Sequence, residues 1–126
     1  MSTAKKTGNA GLEPFHFPQA VNHKLSLKQL GERDVEARVP VYQEMKAGDL
    51  IDASFAGTRV GGGPPEYFTA RHTVSAAGVG HPVIFLVPNS FIRKIDRGGI
   101  IDASYKVTDR TGNVAQSPTV RLEIVE

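Results

Sequence analysis

Cysteine and tryptophan are absent from this 126-residue chain. Without cysteine there is no disulfide, no thiolate zinc site, no iron–sulfur cluster and no thiol nucleophile, so the fold is held by packing. A dominant charge is also missing. Fifteen Lys and Arg stand against 13 Asp and Glu, a formal net charge of +2. That is too small, and too evenly spread, to predict a nucleic-acid partner. Long apolar runs are lacking too. The longest is Val83–Val87, strand-sized against the roughly 18 apolar residues of a membrane span, so no membrane insertion is expected. The first eleven residues, MSTAKKTGNAG, start basic but have no apolar stretch behind them, which predicts no Sec signal peptide.

What the chain does have is turn chemistry. It carries 13 Gly and 8 Pro beside a 40% hydrophobic share, enough for one core cut into short strands. Residues 1–13 are expected to be a flexible tail and residues 14–126 a single domain. Phe15 and Phe17 share one side of an extended entry segment between Pro14 and Pro18. Residues 24–30 fit neither period well and predict a short strand and a turn at Gly31, with one helical turn as the alternative. From Val35 the alternation is clear: Val35, Ala37, Val39 and Val41 on one side, Glu36, Arg38 and Tyr42 on the other. Ile51, Ala53 and Phe55 mark the apolar face of the next strand, and residues 57–65 are expected to be a loop. Phe68, Ala70, His72 and Val74 alternate with Tyr67, Thr69, Arg71 and Thr73. Val83–Val87 is continuously apolar, as in a strand covered on both faces. Residues 89–96 fit one turn of helix. Ile101, Ala103, Tyr105 and Val107 line another strand, a hairpin turn falls at residues 109–113, and Val120, Leu122 and Ile124 line the last strand.

This spacing predicts an all-β, antiparallel Greek-key β-sandwich of about seven strands. Leu50-Ile51-Asp52-Ala53-Ser54-Phe55 echoes Ile100-Ile101-Asp102-Ala103-Ser104-Tyr105. A half-domain duplication would produce this echo; so would two central strands in the same environment.

The C-terminal segment from Ser104 to Asn113, with Ser117-Pro118 and the alternating strand after it, resembles the closing hairpin of bacterial immunoglobulin-like (Big-type) repeats of large surface and adhesin-like proteins. Val39-Pro40-Val41-Tyr42, Gly48-Asp49, Gly62-Gly63-Pro64-Pro65, Thr73-Val74-Ser75, Pro82 to Pro88 and Gly98-Gly99 follow the same likeness in order. It implies an immunoglobulin-like fold, a bacterial cell-surface or signal-less secreted setting, and no catalytic residues.

Searching for chemistry leaves little. His16, His23, His72 and His81 are far apart, without metal-ligand spacing; His72, on an apolar face, reads as a hydrogen-bonded core histidine. No Gly-x-Ser-x-Gly elbow occurs, and Ser54 and Ser104 read as solvent-facing. Asp52 and Asp102 would share an outer face if their strands are neighbours, for acid–base work or calcium, or simply as wet positions. No catalytic residue, metal or cofactor is expected. Gly61, Gly62 and Gly63 lack the Lys and helix of a phosphate loop, but loops carry recognition on sandwich scaffolds. Arg59, Glu66 and Tyr67 flank these glycines, and together they form the expected partner-binding surface. The basic residues of 91–97 would suit an anionic partner or an ordinary solvated connection, with Phe91, Ile92 and Ile95 plugging the core.

The expected function is a non-catalytic binding or adhesion module that presents loops or a sheet edge to a protein partner or neighbouring repeat. The alternatives are a structural spacer and a carbohydrate-binding module. The latter would need exposed aromatics, for which Tyr42, Tyr67 and Phe15 are the candidates.

Overall fold

Residues 12–126 are described by the structure, a computed structural model. The elements run β1 (Lys24–Ser26), α1 (Leu27–Leu30), β2 (Val35–Val39), β3 (Leu50–Thr58), β4 (Glu66–Thr73), β5 (Val83–Val87), α2 (Asn89–Ile95), β6 (Ile100–Thr108), β7 (Val114–Gln116) and β8 (Val120–Val125). Strand is the prevailing regular structure among the described residues, far ahead of helix, and it is arranged as two sheets. A wide sheet has the order β1-β8-β6-β3-β4, with β7 also paired to β6, and a narrow sheet consists of β2 and β5. All pairs are antiparallel except β1 with β8, which run parallel. That parallel pair spans only three residues and departs from the all-antiparallel expectation at one edge.

The centre of the wide sheet explains the sequence echo. β3 and β6 pair from Leu50↔Thr108 to Thr58↔Ile100, which sets Ser54 opposite Ser104. Around that point the two similar segments are related by a local two-fold. Phe55 falls opposite Ala103, and Tyr105 opposite Ala53. Each large ring therefore lies beside a small residue, and the space over the alanines admits Phe15. Its ring stacks on Phe55 at 5.3 Å and tilts against Tyr105 at 4.9 Å. Large and small side chains alternating in this way fill a core to native density.

Phe15 arrives on the entry segment, where His16 exchanges both backbone bonds with Arg38. Leu12, within the expected tail, is buried, and the Glu13 carbonyl accepts the Tyr105 hydroxyl proton. Packing thus reaches at least residue 12, and the rest of that tail lies outside the described residues. Residues 24–30 hold both expected forms, a three-residue strand and then one helical turn.

Three local expectations change. β2 stops at Val39 because Pro40 cannot donate to a ladder. The alternation restarts out of phase, with Val41 exposed and Tyr42 buried. β3 runs through Gly57 and Thr58 rather than ending before them. A Cβ on Gly57 would lie 2.2 Å from Ile95 Cδ1, so glycine is what lets α2 settle on the strand. α2 buries Phe91, Ile92 and Ile95 as the core plug. Finally, Val83–Val87 is not covered on both faces: Val83, Phe85 and Val87 are buried, while Ile84 and Leu86 are 52% and 58% exposed.

Candidate functional site

The hairpin between β3 and β4 carries the loop predicted to bind. Gly61, Gly62 and Gly63 have φ of 89°, 90° and 95°, and nothing lies within 4 Å of a Cβ built on any of them. The glycines serve backbone conformation, in the left-handed region that L side chains avoid. At the base of the hairpin Arg59 donates to Glu66 at 2.9 Å, and Lys94 of α2 stands 3.8 Å from the same carboxylate. Arg59 and Glu66 are thus engaged with each other. Tyr67, 67% exposed, pairs with Ala56 on the outer face of the wide sheet. The predicted residues cluster in sequence, but their free groups do not converge on one point.

The outer face of the wide sheet is polar. Asp52 and Asp102 do lie on neighbouring strands, but Asp52 faces Lys106 and Asp102 faces Ala56. Four residues of offset along a strand separate the carboxylates by about 13 Å. Each is taken by an arginine of the flanking strand, Arg71 on Asp52 at 2.7 Å and Arg121 on Asp102 at 2.9 Å. Such solvent-exposed pairs add little to stability, and the geometry provides no shared carboxylate site. Of the three candidate aromatics for sugar stacking, Tyr42 and Phe15 are buried and Tyr67 alone is exposed.

His72 is not a core histidine. It faces the same side as buried Ile51, but it is exposed, because β4 extends past the narrow sheet. Its ring stands edge-on to Phe85 at 6.4 Å. Phe68 and Ala70, on the same side of β4, are only partly buried. Among the described residues, no group of three or more His, Asp or Glu could hold a metal ion, and no helix is long and apolar enough to cross a membrane.

The basic segment 91–97 is occupied by its own chain. Arg93 donates to the carbonyls of Leu27 and Gly31, and Arg97 pairs with Glu126. Asn89 adds bonds to the carbonyls of Gly31 and Arg33. These bonds fix the α1 turn to α2, and in the hollow that Lys28, Arg93 and Arg97 line together the two arginines are already engaged by the chain's own oxygens.

The sequence predicts a sheet edge without naming the strand; among the described residues the unpaired edge that stands out is that of β5. Arg38 gives its N–H and C=O to His16, so β2 meets β5 through Val35, Ala37 and Val39, whose partners are Val87, Phe85 and Val83. In an antiparallel ladder the peptide groups alternate in direction, and those of Ile84 and Leu86 therefore point away from β2. No described residue bonds to them. The strand has no charge and no internal proline; Pro82 and Pro88 only bracket it. Natural edges are usually blunted by charge, proline or a bulge, and β5 has none of these within its five residues.

Two buried polar anchors escaped the sequence. The Tyr42 hydroxyl donates to Asp49 at 2.8 Å, and the Lys46 N–H donates to the same oxygen. Burial, then the neighbouring Asp49, holds the Tyr42 phenol well above its usual range. Burial, with Glu13 next, pushes Tyr105 up to about 12. Ser117 Oγ accepts the Tyr105 N–H at 2.9 Å, bridging the point where β6 changes partner from β7 to β8.

No family model, curated protein or solved structure matches this chain.

Proposed function

We propose that this domain is an immunoglobulin-like, Greek-key sandwich acting as a non-catalytic binding module, and that it receives a partner's extended strand along β5. The order of strands supports the fold reading. In immunoglobulin domains one sheet is A-B-E-D and the other G-F-C, extended by C′ in the variable type. On this reading β2 and β5 would correspond to B and E, β3, β6 and β8 to C, F and G, and β4 to C′. The entry segment at His16 flanks β2 as strand A would. The place of strand D, beside β5, has no strand among the described residues. The likeness of the closing hairpin to bacterial surface repeats supports an adhesive role.

The observation that carries the functional reading is the outward-facing peptide groups of Ile84 and Leu86 beneath two exposed aliphatic side chains. Strand addition takes affinity from main-chain bonds and specificity from alternate side chains. A strand laid there would also cover Phe68 and His72. The test is to select extended peptides from a random display library on the purified domain. Alternating apolar peptides are expected, with binding lost in Leu86→Lys and kept when residues 61–65 are replaced. Binders that survive Leu86→Lys but depend on the glycine loop would overturn the edge reading.

A further inference from the structure

The chemistry of β5 also names a partner, and this inference rests on the edge reading above. We infer that a second copy of this chain pairs antiparallel along β5, extending the narrow sheet from two strands to four. Val83-Ile84-Phe85-Leu86-Val87 is a near-palindrome of side-chain classes about Phe85. A two-fold axis at Phe85 sets Ile84 opposite Leu86 of the second copy, and Leu86 opposite its Ile84. Both positions turn their peptide groups outward, so both rungs are hydrogen-bonded pairs and every free N–H and C=O of the edge is satisfied. The axis satisfies the requirement of an isologous contact, the same patch on both copies.

Charge agrees with this pairing. β5 has no charged residue to repel its copy. On the outer face Glu36 lies beside Leu86, and Arg38 beside Ile84. Across the four strands each row therefore runs from Glu36 of one copy, through Leu86 and the facing Ile84, to Arg38 of the other. Within each copy Glu36 and Arg38 are paired with each other at 2.9 Å, so the flanking strands bring no net charge to the contact. The alternative of sliding by two residues would leave one aliphatic side chain and one pair of peptide groups uncovered. With Pro82 and Pro88 limiting the strand to five residues, the edge buries less than the ~1,000 Å² that a stable interface clears, so the dimer is weak, with a dissociation constant of about 0.1 mM or higher.

The chain has no cysteine, so introduced thiols report register cleanly. Ile84→Cys and Leu86→Cys are made separately, both at exposed positions, and their fold is checked by circular dichroism. In the inferred register residues 84 and 86 of opposite copies have Cα atoms about 5.5 Å apart, within disulfide range, while each residue and its own counterpart lie beyond about 7 Å. An equimolar mixture at millimolar concentration is expected to form the mixed disulfide at least about five-fold faster than either variant crosslinks to itself. Sedimentation equilibrium of the unmodified domain should show a concentration-dependent dimer that Leu86→Lys abolishes. A domain that stays monomeric to several millimolar, a dimer indifferent to Leu86→Lys, or self-crosslinking of either variant as fast as the mixed product overturns the self-pairing. If the domain stays monomeric yet binds selected peptides through β5, self-pairing falls and the edge reading stands. If neither occurs, both fall.

Discussion

On the wide sheet each outward aspartate is met by an arginine of the next strand, Asp52 by Arg71 and Asp102 by Arg121. On the narrow sheet the outward positions of β5 are Ile84 and Leu86, with no described residue on their peptide groups. The inward faces do not differ in this way: Ile51, Phe55, Phe85 and Val87 are all buried. The contrast separates the surface that the fold uses from the surface that it leaves open. Both sheets contribute buried side chains to the shared core, while the outward row of β5 is half exposed and adds little to folding.

The comparison breaks most sharply at paired truncations. Phe55→Ala removes a ring packed against Phe15 and Phe68 and is expected to cost ~3–5 kcal/mol. Leu86→Ala, on the exposed row, is expected to cost no more than about 0.5 kcal/mol. Denaturant unfolding of both variants checks this, and comparable losses would mean that the β5 row belongs to the core. Smaller is the effect of Gly57→Ala, which places a methyl on Ile95 and forces α2 off the wide sheet, at ~1–3 kcal/mol. A midpoint unchanged in the same experiment would show that α2 moves freely.

Smaller again is an alkaline effect that asks whether the sheets open together. Tyr105 belongs to the wide sheet, and Tyr42 follows the narrow sheet's β2. Both phenols are raised by burial in the folded state. Their contribution is therefore complete below the ordinary tyrosine pKa of about 10 and is lost as pH rises above it. In a Tyr67→Phe background, phenolate absorbance should appear only as the β signal in circular dichroism disappears, in one step. Two steps would mean that the narrow sheet opens on its own.

Much of this fold was legible from alternation alone. Ile51, Ala53 and Phe55, Ile101 to Val107, and Val120 to Ile124 are inward as their period requires. Such strands have one dry and one wet face, and the pattern records both. Val83–Val87 defeated the same logic, because five apolar residues look alike whether the second face is covered by protein or left open. Val41 and Tyr42 changed sides because one proline reset the phase. His72 was placed on the correct side of β4, but exposure depends on how far the opposing sheet extends, which no local period encodes. Asp49, Ser117 and Asn89 became anchors only through partners such as Tyr42, Tyr105 and Gly31, brought near by the folded chain. Arg59 and Glu66 were read as flanking the glycine loop; their mutual ion pair is a tertiary fact.

The glycine tip has a practical consequence. Since a side chain placed on any of residues 61–63 would meet open space, the hairpin apex is a natural splice point. Foreign sequence grafted there would lengthen a closed loop, and each doubling of that length costs only about 0.6 kcal/mol. The domain could then carry an inserted epitope or reporter as cargo without disturbing the strands below.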